Sequence, residues 1–354
     1  MSTRIGICTR YDRHEYSYVA TALAEWLDRR GFDVSLFVAP YSKVVPQGVS
    51  WDKRQHHGSM VLFTDWCTHM DTVIWTVLPQ PAQSQHLRKQ KIKSYVLYEP
   101  WEEKTTERLQ AYRNSDKVLA FNRSCGERCA IDSKIPRFAY LPLAPNTPDY
   151  TYKPRPAGSP VRIVWPIFDG DWQRFDRTDL FDRMSKFLAK AAGTYELRVV
   201  LSSSTIPPEY VRIIMGWARR HPFVTVLMCR NVLWRDLQYH EADVMFWPST
   251  IENTMLRGLH AYSYGISIIG VMANPMSELL AVNPHMAVPV AKSGCDRHGY
   301  PTKVSSEIIN PAMLSRLLGI VQSPTILTEA NANVSRFMAA RRRAFSDTMT
   351  DLFS

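Results

Sequence analysis

Long apolar runs are the first thing missing from this chain of 354 residues. No stretch approaches the roughly 20 consecutive apolar residues that cross a bilayer as a helix. Residues 1–30 also lack the uninterrupted apolar core of a secretory leader, because Arg4, Arg10, Asp12, Arg13 and Glu15 fall within them. The expectation is a soluble, cytoplasmic protein without stable membrane insertion, in the host cytoplasm if the chain is viral. Cysteine is scarce, with six residues: Cys8, Cys67, Cys125, Cys129, Cys229 and Cys295. Only Cys125 and Cys129 are close. With three residues between them, no second pair and no histidine nearby, they match neither a zinc-site spacing nor a disulfide framework. All six read as reduced thiols. There is no internal repeat and no low-complexity tract, and the one Asp-x-Asp considered is Asp169-Gly170-Asp171.

Acidic residues are the scarcer charge, 33 against 43 Lys and Arg, which leaves a formal net charge of +10. The excess is shared, +4 in residues 1–150 and +6 in 151–354, so it belongs to folded surface and not to a basic tail. Such a field attracts polyanions: nucleic acid, an anionic membrane surface or phosphorylated small molecules. With 45% hydrophobic and 21% charged residues, the chain can pack an interior over most of its length. Its length suggests two domains, each able to bury a core.

Short apolar segments alternate with longer amphipathic ones, the pattern of parallel sheets covered by helices. In the N-terminal half, residues 4–8, 32–39, 60–63, 72–78, 94–98 and 117–121 read as strands, and 16–30 as a helix ended by Gly31. Five or six strands with crossovers make a doubly wound domain. Prolines recur between 141 and 160 without any apolar period, which marks the boundary. We take 1–148 as one Rossmann-like domain and 149–330 as a second. Residues 331–354 read as a basic helix packing back toward the first. In the second domain, strands are predicted at 161–165, 197–201, 224–228, 243–247 and 267–271, and helices at 179–191, 208–220, 234–241 and 254–264.

The discriminating segment is 237–270, LQYHEADVMFWPSTIENTMLRGLHAYSYGISIIG. Ala242, Asp243, Val244, Pro248, Ser249, Glu252 and Gly265 there mark a strand-to-helix turn, a helix, a small-residue turn and another strand. This pattern resembles the donor-site signature of retaining GT-B glycosyltransferases of the family 4-like type. The upstream strands keep that family's order. The N-terminal half agrees in topology and in the Arg29-Arg30-Gly31 turn. The resemblance implies an α/β chain of GT-B type, with two doubly wound Rossmann-like domains facing across a cleft. It implies hexosyl or pentosyl transfer from a nucleotide-diphosphate sugar, a UDP-sugar above others, to an acceptor hydroxyl with retention. No cofactor and no metal are expected, because in this family a departing phosphate oxygen can take the acceptor's proton.

The site residues follow from the same resemblance. A diphosphate leaving group calls for positive charge and backbone N–H groups where negative charge develops, which a helix N-terminus supplies. Backbone amides along Glu252-Asn253-Thr254-Met255, with Ser249 before them, would face the donor, and the Glu252 carboxylate would accept from sugar hydroxyls. Glu252 reads equally as a helix-capping acid. The family's second Glu is replaced by His260, which still offers a hydrogen bond to a ribose diol, or is a packed helix residue. In the 168–177 loop, Arg177 takes the position of the family's phosphate-neutralising cation and Arg174 accompanies it, the alternative being a solvated loop of ion pairs. Arg230 and Asn231 lie where the nucleobase docks.

On the acceptor side, His14 and Glu15 stand where family members have glycines, and either contact the acceptor or simply start the helix. Asp65 and Glu99 follow predicted strands, and either can orient or deprotonate an acceptor hydroxyl. Arg88, Lys89, Lys91 and Lys93 form a basic run without an acid. With ten tryptophans and Arg341-Arg342-Arg343, they suggest a phosphate-tracking groove with aromatic wedges. Some phage enzymes of this architecture glycosylate a hydroxymethylated base in DNA, which must be taken out of the stack. The expected acceptor is therefore DNA, with polysaccharide, glycolipid or protein as alternatives. A catalytically silent GT-B-like module that binds nucleic acid is the reading from another class. Oligomeric state is left open.

Overall fold

The computed structural model describes residues 3–9, 15–38, 55–57, 60–98, 106–133, 138–144, 152–156, 158–167, 177–191, 193–202, 206–229, 239–248, 255–289 and 306–353. The chain divides into two compact units, residues 1–146 with 341–354, and 147–340.

The first unit is built on β1 (Arg4–Thr9), β2 (Asp33–Val38), β3 (Gln55–His57), β4 (Thr72–Trp75), β5 (Lys93–Leu97), β6 (Lys117–Ala120) and β7 (Phe138–Tyr140). They form one parallel sheet of seven strands in the order β3-β2-β1-β4-β5-β6-β7. Helices α1 (Glu15–Arg29), α2 (Met60–Cys67), α3 (Pro81–Gln90), α4 (Thr106–Asn114) and α5 (Arg123–Ser133) connect them. Parallel strands are covered on both faces, so they read as continuous apolar runs, and β4 (TVIW) is buried at every residue. Gly31 ends α1 at φ 83, with Gly31 N–H on Asp28 O and Phe32 N–H on Leu27 O, the left-handed cap that glycine adopts without a Cβ penalty.

One predicted strand is a helix. Residues 60–63 belong to α2, where Phe63, Trp66 and Cys67 are buried and Leu62 is 52% exposed. A four-residue apolar run carries no period of its own, and the i, i+3, i+4 burial that identifies a helix is completed only by Trp66 and Cys67. Under α2 the rings of Phe37, Phe63, Trp66 and Trp75 lie 5.2 to 5.9 Å apart, and the Trp66 indole donates to Ser35 Oγ at 2.8 Å. The sheet also has one strand more than the largest predicted number: β3 and β7, three residues each, were not foreseen.

The second unit holds β8 (Val161–Ile167), β9 (Tyr195–Ser202), β10 (Val224–Cys229), β11 (Val244–Trp247), β12 (Ser267–Met272) and β13 (Ala287–Pro289). They are all parallel, in the order β10-β9-β8-β11-β12-β13. Its helices are α6 (Arg177–Lys190), α7 (Pro208–Ala218), α8 (Leu256–Ser263), α9 (Ser277–Leu280) and α10 (Ser306–Gln322). Of the helix predicted at 234–241, the described part is a single 3-10 turn, Tyr239–Glu241. The core gathers Trp165, Phe181, Phe246 and Trp217 between the sheet and α6 and α7. The last helix, α11 (Thr325–Phe353), belongs to the second unit up to Ala340 and to the first from Arg341 on. Among the described residues no helix is long and apolar enough to cross a membrane.

Candidate functional site

In an open parallel sheet, ligands bind outside the carboxyl ends of the strands where the strand order reverses, because the loops there leave in opposite directions. In the second unit the reversal lies between β8 and β11. These two strands pair only at Ile163↔Val244 and Val164↔Met245. Beyond that, β8 continues along β9 as far as Ile167↔Leu201, and β11 continues along β12 as far as Trp247↔Gly270. Pro166, without an N–H to donate, falls in the part of β8 that has left β11. The strands therefore part before they end, which opens the crevice.

Both donor-binding segments named from sequence leave the sheet at this point. Residues 168–176 lead from Ile167 to Arg177, the first residue of α6, and residues 248–255 lead from Trp247 to Leu256, the first of α8. Arg174, Arg230, Asn231, Ser249, Glu252, Asn253 and Thr254 lie outside the described residues, as does the side chain of Arg177.

Met255 is described and unusual. It caps α8 in the left-handed region, at φ 56 and ψ 13, with its side chain fully buried. That conformation costs a residue with a Cβ about 1 to 3 kcal/mol, and such residues cluster at ligand clamps. Burial of the thioether chain offsets the cost. All eight residues of α8 are buried, including Arg257 and His260. The helix lies close on the sheet at Gly258, where a Cβ would come within 2.7 Å of Leu279 and 2.8 Å of the Trp247 ring. Burial pushes the His260 imidazole down to about 3, so the ring is neutral at pH 7. A neutral ring can still offer one donor or one acceptor to a ligand hydroxyl. Sequence reasoning passed over two residues here. Arg257 is buried one position into the helix, and Trp247, also buried, closes β11 with an indole N–H that has no acceptor among the described residues. Nothing in the order of residues signals either one.

In the first unit the order reverses between β1 and β4. Glu15 is the first residue of α1, the helix that follows β1. Its side chain, His14 and Glu99 lie outside the described residues. Past the end of β4, Thr76 is buried and sends both its N–H and its hydroxyl to Cys8 O, at 2.9 and 3.2 Å, which fixes the chain between the two switch-point strands.

Asp65 does not end a strand. It is exposed on α2, which runs down into the start of β4 through Met70 and Asp71, so it lies toward the amino edge of the sheet and not in the crevice. The basic run is likewise at the amino edge. Arg88, Lys89, Lys91 and Lys93 are all exposed on the turn from α3 into the first residue of β5. Arg341 is no surface cation. It is buried, donating to Leu143 O at 2.9 Å, Phe121 O at 2.8 Å and Tyr140 Oη at 3.2 Å. The tryptophans do not form wedges among the described residues: Trp66, Trp75, Trp165, Trp217 and Trp247 are core side chains, and Trp26 packs edge-on against Phe345.

Among the described residues no group of three His, Cys, Asp or Glu could hold a metal ion. No family model matches the chain, and no curated protein matches it. Solved structures do. Sucrose-phosphate synthase from Thermosynechococcus elongatus superposes with a TM-score of 0.68 at 16% identity, over 99% of this chain and 98% of that one. The Anabaena protein Alr3699/HepE, solved with UDP and glucose, gives 0.66 at 11% identity, over 99% of both chains. The fold is GT-B. An alpha-glucosyltransferase solved with UDP and a 13-mer DNA containing an HMU base gives 0.59 at 11% identity, over 99% of this chain and 100% of that one. At these identities the likeness is one of GT-B architecture, and finer assignments rest on the residues.

Proposed function

We propose that the chain is a nucleotide-sugar-dependent glycosyltransferase that binds its donor at the β8/β11 switch point. What supports this reading is that β8 and β11, the strands that the 168–177 and 248–255 segments follow in sequence, part from each other before they end among the described residues. Arg174 and Arg177 neutralise the leaving diphosphate, and the Glu252 carboxylate accepts from sugar hydroxyls. Arg230 and Asn231 receive the base, and His260 serves the ribose as a neutral hydrogen-bonding group. UDP is the favoured nucleotide, since neighbours of this fold were solved with it. Transfer proceeds with retention and without a metal, the departing phosphate oxygen taking the proton of the acceptor hydroxyl.

The acceptor in this reading is a hydroxymethylated base in DNA. The net charge of +10 and a neighbour solved with base-modified DNA support it. His14, Glu15 and Glu99 are the acceptor-side candidates. The experiment is transfer from radiolabelled UDP-glucose to duplex DNA containing hydroxymethylpyrimidines, with plain duplex and polysaccharide as parallel acceptors and with EDTA in a matched set. Wild type should label the modified duplex alone, with or without EDTA. Glu252→Ala should lose roughly 2 to 4 kcal/mol of transition-state stabilisation, about 30- to 1000-fold in kcat/KM. Label in polysaccharide alone would move the acceptor, and an unchanged Glu252→Ala rate would remove Glu252 from the site.

The replacement of the family's second Glu by buried His260 favours one other reading, a catalytically silent module that binds nucleic acid. Thermal stabilisation by duplex DNA with none from any nucleoside diphosphate would select it.

A further inference from the structure

The two sheets end in four edge strands, and one of them differs from the rest. β3, β7 and β13 are three residues long each, and β13 ends in Pro289. Edges this short give another chain little to pair with. β10 closes the second sheet with six residues, VTVLMC, without a charge and without a proline. No described segment pairs with its outer side. Met228 is 45% exposed on it, and Phe223, just before the strand, 41%. A long, apolar, unguarded edge is a template for a further strand.

The inner neighbour fixes which peptide groups of β10 face outward. Phe223 O accepts from Leu197 N–H at 2.9 Å, so Phe223 turns its carbonyl to β9. Peptide groups alternate along a strand, so Thr225 and Leu227 also turn to β9 and Val224, Val226 and Met228 turn away from it. Val224 N–H is taken by His221 O at 3.1 Å. The side chains of Val224 and Val226 pack on the core beneath α7, and Met228 follows on that face.

We infer that β10 pairs antiparallel with β10 of a second copy of this chain, about a two-fold axis through Val226. An axis perpendicular to the sheet keeps every side chain on its own face, so only residues both even or both odd in number can oppose one another. Centred on Val226, the register opposes Val226 to Val226 and Val224 to Met228, which are the outward residues. These are the hydrogen-bonded positions of an antiparallel pair. Val226 N–H donates to Val226 O of the second copy and Met228 N–H to its Val224 O, each twice by symmetry. Exposed Met228 then covers half-buried Val224 on one face, and Thr225 meets Leu227 on the other. Helix α7 turns Trp217 toward α6, where it meets Phe181 and Ser185, and Ile213 lies on that same flank. Half-buried Val211 and Met215 lie on the opposite flank, toward the open edge. The axis sets the two α7 helices antiparallel, so that Glu209 at the start of one is at the same end as Arg219 and Arg220 past the close of the other, with Arg212 between. The edge is apart from the β8/β11 crevice, and the inference does not depend on the donor-site reading.

The test is sedimentation velocity of the full-length protein over a concentration series, for wild type, Val226→Pro, Met228→Lys and Ile213→Lys, with thermal midpoints measured at the lowest concentration. Proline at 226 removes an N–H that makes no bond to β9, a position at which edge strands accept proline. Lysine at 228 keeps the backbone and charges the edge. One strand pair with one flank of a helix is an interface of the small class, so wild type should pass from monomer to dimer at about 10 to 100 μM. Val226→Pro and Met228→Lys should each raise the dimer dissociation constant at least about tenfold, with the monomer midpoint unchanged. Ile213→Lys, which charges a residue 55% exposed on the other flank of α7, should dimerise as wild type does. Wild type that stays monomeric throughout overturns the inference and leaves the edge to a different protein. Wild-type affinity in both Val226→Pro and Met228→Lys overturns it as well, as does loss of the dimer in Ile213→Lys alone, since either result puts the interface elsewhere. If Val226→Pro lowers the monomer midpoint, Met228→Lys decides.

Discussion

At the scale of single residues, burial sets the chemistry available at the site. His260 occupies a position where the resemblance leads one to look for a carboxylate, and its burial makes it a neutral group. An imidazole free in the unfolded chain titrates near 6.5, and in the folded chain it titrates near 3. Between these values the unfolded chain binds a proton that the folded chain refuses. The stability this group permits is complete above about pH 6.5 and declines as pH falls, by about 1.4 kcal/mol per unit. Urea unfolding of wild type and His260→Gln at pH 7 and pH 4.5 should therefore differ in slope, the variant losing about 2 kcal/mol less. Equal losses in the two proteins would mean that His260 takes up its proton while folded. The residue type was legible in the sequence. Its protonation state was not, since that is a property of the surrounding shell.

At the scale of elements, short parallel strands could be recognised because both their faces are buried, which makes them nearly all apolar. Three-residue strands such as β3 (QHH), β7 (FAY) and β13 (AVP) carry no comparable signal, and only their neighbours in the sheet define them. Helix α8 depends on a contact between elements. Gly258 reads in sequence as a poor helix residue, yet the approach of Trp247 and Leu279 leaves no room for a Cβ. Gly258→Ala should destabilise the protein by about 1 to 3 kcal/mol through overpacking, despite alanine's better helix propensity. A raised thermal midpoint would show that the slot can open without cost.

At the scale of the whole molecule, one buried polar network gathers distant parts of the second unit. Asp243 accepts from Arg162 N–H at 2.8 Å and the Tyr152 hydroxyl at 3.2 Å, and pairs with Arg155 at 3.1 Å. Its carbonyl accepts from Asn331, whose own side-chain oxygen takes Ser267 N–H at 2.7 Å. Burial and the Asp243 charge push the Tyr152 hydroxyl well above its ordinary range, so it remains a donor throughout the physiological range. The segment entering the second unit and the helix leaving it are thus fastened at the amino edge of the same sheet whose carboxyl edge holds the candidate site. Asp243→Ala strands the Arg155 cation and several donors, and should cost about 3 to 5 kcal/mol. Denaturant unfolding would measure it. A loss under 1 kcal/mol would show that water replaces the carboxylate.

Hydrophobic period, proline distribution and the 237–270 segment determined the α/β class and the two-part organisation and marked the segments proposed to bear the site, because these are local in the chain. Whether residues 60–63 form a strand or a helix, and on which edge Asp65 and the basic run lie, was decided by tertiary structure. So were the burial of Arg341 and of Trp66, Trp75, Trp165, Trp217 and Trp247, and the parting of β8 from β11. Each of these depends on which other segment packs alongside, and a sequence read along one dimension does not carry that neighbour.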